Sequence, residues 1–88
     1  MQISFDPAKD DGNLRKHGVS LALAVRLEWE TALCWDDGRR DYGEPRQVAL
    51  GYIGQRLYSV VFVDRDEVRR IISLRKANSR EVRRYAET

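Results

Sequence analysis

Between Arg65 and Arg84 the chain places eight basic side chains, Arg65, Arg69, Arg70, Arg75, Lys76, Arg80, Arg83 and Arg84, against three acidic ones, Asp66, Glu67 and Glu81. A planar guanidinium meets phosphate or carboxylate oxygens two at a time, so arginine at this density points to anionic partners. The plainer reading of such a run is a solvated strand and helix face. His17 is the one histidine. Its imidazole titrates near neutrality and can take or give a proton, although a histidine closing a helix also suits the last carbonyls and the helix dipole. Glu44 and Arg46 stand two apart at the start of a predicted strand and share a face. Glu44 is a general base if its pKa is raised, or else a partner that orients an arginine. As a bare surface ion pair the two are worth at most about 1 kcal/mol. Tyr85 can donate a proton or stack on a base, and it also fits the apolar stripe of a last helix. Lys9 and Lys16 fall on the first helix, where lysines are commonly just solubilising.

Other chemistries lack their residues. Cys34 is the single cysteine, so no internal disulfide forms, and its Ala-Leu-Cys-Trp setting predicts a buried, inert thiol. One cysteine and one histidine do not make a zinc site of the usual kind. No Gly-rich phosphate loop is present. We therefore expect neither a metal nor a cofactor. The longest apolar runs, Leu21 to Val25 and Val60 to Val63, are too short to span a bilayer, and the first residues have no basic segment followed by a long apolar stretch. A cytoplasmic protein with no membrane partner is expected. With 42% hydrophobic and 34% charged residues the chain is too apolar for disorder, and 88 residues suit one domain, 1–88.

The elements that must position these groups follow from local signals. Gln2 to Phe5 reads as a short strand. Asp6-Pro7 starts a helix, with Asp as cap and Pro at the first position, and Gly18 ends it after His17. Ser20 caps a second helix over Leu21 to about Trp29. Ala32 to Trp35 is a strand, and Asp36 to Glu44 a polar loop. Arg46 to Tyr52 alternates, with Val48, Leu50 and Tyr52 on one face. Gly54-Gln55 is a tight turn, Arg56 to Val63 a β-branched and aromatic central strand, Asp64 to Glu67 a second turn, and Val68 to Arg75 the last strand. Asn78 and Glu81 form a capping box for a final helix whose stripe is Val82, Tyr85 and Ala86. The predicted fold class is α+β: an antiparallel sheet with two N-terminal helices packed on one face and a C-terminal helix, the other face partly open.

Side chains alternate along a strand. In the last strand Val68, Arg70, Ile72 and Leu74 should face the helices, and Arg69, Ile71, Ser73 and Arg75 the open side. That makes Arg69 and Arg75 the leading phosphate ligands. Arg70 falls on the apolar side, where it reaches the edge to pair with a carboxylate unless a bulge shifts the register. Trp29 and Trp35 suit the core or a partner's surface.

The opening Phe5-Asp6-x-x-Lys9-x-x-x-Asn13-x-x-Lys16-His17-Gly18-Val19-Ser20 resembles the start of BrnT-family toxins. The run Arg70-Ile71-Ile72-Ser73-Leu74-Arg75-Lys76-Ala77, followed by Arg80-Glu81-x-x-Arg84-Tyr85, resembles their last strand and helix, and Glu44-x-Arg46 with Gly51 resembles the middle strand. The likeness covers nearly the whole chain in order. Phe5 departs from it, standing where many members carry Trp, and Leu21 stands where Phe is common. A base-stacking role for that Trp would make substrate preference differ here.

The resemblance implies a RelE-like fold, an RNA-cleaving activity that blocks translation, and a cognate antitoxin of the ribbon-helix-helix type, with operator DNA bound only through the toxin–antitoxin complex. Metal-free RNA cleavage needs a base for the 2′-OH, cations around the phosphorane-like transition state, and an acid for the leaving 5′-oxygen. The expected catalytic set is His17, Glu44, Arg46, Arg75 and Tyr85. Lys9, Lys16, Arg69, Arg70, Lys76 and Arg80 are expected to bind RNA. Two other readings use the same arginines: a nucleic-acid-binding module without catalysis, and a protein-interaction subunit of a repressor complex.

Overall fold

A computed structural model describes residues 1–38 and 43–88. The centre of the predicted loop 36–44 therefore lies outside the described residues. Helix α1 runs Pro7–His17. The Asp6 carboxylate accepts from the Ala8 N–H at 2.9 Å, and Gly18, at φ 76°, closes the far end by donating its N–H to Leu14 O at 2.8 Å. The left-handed backbone at residue 18 is where glycine costs least.

Residues 21–29 do not form the α-helix expected of them. They fold as two 3₁₀ turns, Leu21–Arg26 and Trp29–Thr31, with Ser20 capping the first. The reason lies in the spacing of the buried residues, Leu21, Ala24 and Leu27. A 3₁₀ turn aligns positions three apart, so all three point at the sheet. Asp10 ties this segment to α1 by accepting from the Leu21 N–H at 2.6 Å and from the Ser20 hydroxyl.

Five strands make one sheet: β1 (Gln2–Ser4), β2 (Leu33–Asp36), β3 (Gln47–Ile53), β4 (Arg56–Arg65) and β5 (Val68–Lys76), in spatial order β1-β5-β4-β3-β2. The pairings are antiparallel except β1 on β5, which is parallel. Helix α2 (Ser79–Ala86) follows, started by the expected capping box of Asn78 and Glu81. The architecture is α+β, with the sheet mostly antiparallel.

One face of the sheet is packed. Ala49, Tyr58, Val60, Phe62, Ile71 and Leu74 meet Leu21, Ala24 and Leu27, with Ile3, Phe5, Val19 and Trp29 around them. Trp29 sets its ring edge-on to Phe62 at 5.2 Å and donates its indole N–H to Ala24 O at 3.0 Å. Phe5 packs half-buried against this core. Gly51 is required here: a side-chain carbon on it would stand 2.9 Å from Leu27 Cδ2. On the other face a smaller cluster, Leu50, Leu57 and Ala77, is covered by Leu33, Trp35, Tyr52 and Tyr85. Val82 of α2 is exposed, so only Tyr85 of the expected stripe packs well.

Three details bear on function. At the outer edge of β5, β1 pairs with residues 68–70 only. Further along, the buried Asn13 side chain takes the place of a strand: its amide donates to Leu74 O at 2.8 Å and accepts from Leu74 N–H at 3.1 Å. Second, the β4–β5 register shifts between Val61 and Phe62, which pair with Ser73 and Ile71, leaving Ile72 as the extra residue. Third, Cys34, expected to be buried, is exposed, because β2 is an edge strand.

Candidate functional site

The bulge at Ile72 divides β5 into two halves of opposite phase. From Ser73 onward the expected alternation holds: Leu74 is in the core, and Ser73 and Arg75 pair with Val61 and Ser59 on the second face. Before the bulge it reverses. Ile71 is in the packed core, Arg69 lies on that same side, and Arg70 moves to the second face. Arg69 is thus corrected from the RNA-facing side to the packed side. Its guanidinium lies 4.6 Å from the centre of the Trp29 ring and 4.3 Å from that of Phe62, and it grips Asp64 through two hydrogen bonds of 2.7 and 2.9 Å.

On the second face lies a cleft of about 440 Å³. Its floor is Val48, Ser59 and Val61, one wall is Trp35 with the 36–38 segment, and the other is Arg75 with Glu81. Arg75 donates to both Glu81 oxygens at 2.8 and 2.9 Å and to Lys76 O at 3.2 Å. Glu81 simultaneously accepts from the Asn78 N–H at 2.9 Å. The hydrogen bond from Arg75 holds the Glu81 carboxyl below its ordinary value, with the Asn78 N–H adding to the effect against the opposing pull of burial. Trp35 is covered from outside by Arg84, whose guanidinium lies 3.9 Å from the ring centre. The sequence reading missed Glu81 as a site residue. Its capping-box signal was visible, but its bond to Arg75 depends on how α2 folds back over the sheet.

Glu44 lies on an exposed part of the molecule and holds Arg65 in a two-point ion pair, with Nε at 2.8 Å. That hydrogen bond comes first in lowering its pKa, with the fields of Arg65, Arg70 and Arg46 in support. Glu44 is therefore an arginine partner, and the raised pKa that a general base needs is not found. Arg46, half-buried, and Arg70 both stand within reach of the Glu44 charge.

His17 ends α1 and is half-buried. Burial lowers its pKa first, then the charges of Lys16 and Arg75. The shift favours the neutral imidazole, with burial acting first and the two cations adding to it. His17 is near Arg75 but is not among the residues lining the cleft.

Tyr85 does not reach the cleft either. Its hydroxyl donates to Thr31 O at 3.1 Å and its ring meets Tyr52 edge-on at 5.4 Å, which makes it a docking residue for α2. Lys9 and Lys16 are exposed on α1, Lys76 at the end of β5, and Arg80 on the first turn of α2. The structure thus brings Arg75 to the cleft with His17 close by, gathers Arg46 and Arg70 around Glu44, and turns Arg69 and Tyr85 to structural work.

A family profile described as "Ribonuclease toxin, BrnT, of type II toxin-antitoxin system" matches residues 5–81. The chain belongs to the BrnT family of toxins. Comparison with curated proteins gave no match. Membership makes an antitoxin the expected partner of this BrnT chain, and assigns the arginine-bearing face to a protein whose family is named for RNA cleavage. Among the described residues no helix is long and apolar enough to cross a membrane.

Proposed function

We propose that this BrnT chain is a RelE-like endoribonuclease, one domain spanning 1–88, that cleaves RNA in the cytoplasm and so blocks translation. The antitoxin that silences it is of the ribbon-helix-helix type and carries the complex to operator DNA. The observation that supports this reading most is the Arg75 guanidinium in the wall of a cleft on the less covered face of the sheet, with a neutral histidine nearby.

In this reading Arg75 stabilises charge as the phosphorane-like transition state forms. Removing an oriented donor of that kind typically costs about 100- to 1,000-fold in rate. Neutral His17 accepts the 2′-OH proton when RNA lies across the end of the cleft, and its protonated form then serves the departing 5′-oxygen, the 2′-oxygen having attacked phosphorus to give a cyclic phosphate. No step calls for a metal, because guanidinium supplies the positive charge. Lys16, Lys76 and Arg80 add a cationic rim, with Lys9 farther along α1.

The test is incubation of purified protein with RNA in EDTA beside Arg75→Ala and His17→Ala. Cleavage by the parent and a loss of at least about 100-fold in Arg75→Ala are expected. Intact RNA held in a tight, salt-sensitive complex would replace this reading with a non-catalytic binding module.

A further inference from the structure

The bulge in β5 has its main effect on charge. Without Ile72 as an extra residue, strict alternation would put Arg70 beside Leu74 in the core. With it, Arg70 shares the second face with Arg75. Bulges commonly re-aim a side chain in this way next to functional sites. The re-aimed guanidinium joins Arg65 and Arg46 around Glu44. Glu44 gives both of its oxygens to Arg65. Among the described residues Arg70 makes no hydrogen bond or ion pair of its own. Its neighbour Arg69, on the packed face, has Asp64 to itself and two aromatic rings beside it. Two adjacent arginines thus have opposite circumstances: one is satisfied within the fold, the other is held among like charges with no anion of its own.

We propose that Arg70 and Arg65, with Arg46 beside them, form a second phosphate subsite for RNA, separate from the Arg75 cleft on the same face. The inference rests on the cleft being the RNA-cleaving site. Arg70 and Arg75 stand opposite Val63 and Ser59, four steps apart along β4, about 13 Å at the usual rise of roughly 3.3 Å per residue. A stacked strand advances about 3.4 Å per nucleotide, so the two subsites lie about four stacked nucleotides apart, and fewer if the strand is stretched. The floor between them, Val61, Ser73, Ser59 and Val48, is small and uncharged, a surface on which unpaired bases can lie. The protein would then grip a length of single-stranded backbone, with affinity that depends on RNA length.

The test is binding of 2′-O-methyl oligonucleotides, which resist 2′-OH attack, in a ladder from dinucleotide to octanucleotide. Affinity is expected to step up by about tenfold once the chain reaches roughly four or five nucleotides, as one charge-assisted contact is added. Arg70→Ala should abolish that step and lower the salt dependence of octanucleotide binding by about 0.7 in log–log slope. Arg26→Ala, the same charge change on the exposed part of a 3₁₀ turn, should keep the step. A parent protein that cleaves RNA but shows no length step, or an Arg70→Ala variant that keeps it, overturns the second subsite and leaves the ribonuclease reading intact. Failure to bind or cleave any RNA overturns both. Loss of antitoxin binding alone in Arg70→Ala overturns the subsite in favour of an acidic protein segment.

Discussion

The two faces of the sheet are built from the same strands and do different work. The packed face carries Phe62, Ile71, Leu74 and Val60, all fully buried beneath the 3₁₀ turns, and Arg69 on that side is paired with Asp64. The second face carries a small apolar cluster at one end and guanidiniums along the rest, and its cover, α2, has no buried residue. Stability is concentrated on one side, which leaves the other free to hold charges and a cleft that a packed core would not tolerate.

That contrast can be attacked at its strongest point first. Phe62→Ala should cost about 3–5 kcal/mol, whereas Val61→Ala on the cleft floor, a neighbour in sequence, should cost under about 1.5 kcal/mol. Urea denaturation of both variants measures the difference, and similar losses would mean that the faces share the load. Arg75→Ala should show the reverse pattern: about 100- to 1,000-fold less RNA cleavage with little change in the unfolding midpoint. Arrest of growth by that variant, expressed without antitoxin, would remove Arg75 from the site. Asn13→Ala should cost about 1–3 kcal/mol, since it strands the Leu74 N–H and carbonyl at a buried edge.

The smallest effect concerns acid. Glu81 has a folded-state pKa below its ordinary 4.5, so its contribution to stability is complete above that value and is lost as pH falls through the lowered one. Its partner is partly exposed, so the contribution is about 1 kcal/mol or less. Parent and Glu81→Gln proteins, compared by thermal unfolding from pH 6 downward, should converge as the carboxylate is protonated. Glutamine preserves the cap, so a constant gap at every pH would mean that the charge on Glu81 is irrelevant. Glu44 titrates in the same window in both proteins and cancels in the comparison.

How much of this the sequence disclosed follows from how local each cause is. Asp6-Pro7, Gly18, and Asn78 with Glu81 act within a few residues, and each element boundary they mark is present in the fold. The 3₁₀ turns were hidden because an apolar run of that length also reads as a helix; the threefold spacing of Leu21, Ala24 and Leu27 was the usable signal. Arg75 could be assigned because Leu74 beside it marks the core face on its side of the bulge. Arg69 and Arg70 were exchanged because one extra residue reverses all that precedes it, and nothing in Ile71-Ile72 distinguishes a bulge from a regular strand. The exposure of Cys34 and the Arg75–Glu81 pair depend on which strand ends at the edge and on where α2 lands, and both are long-range outcomes.

The Asn13 amide on Leu74 has a further consequence, for the order in which the chain acquires its shape. Residues 61 positions apart must meet before the rim of β5 is closed. During synthesis the first helix therefore waits for its counterpart, and Arg75 is the next residue to be added after the one that completes the bond. The same clasp denies a neighbouring molecule the unpaired ribbon on which strand-by-strand polymerisation could begin.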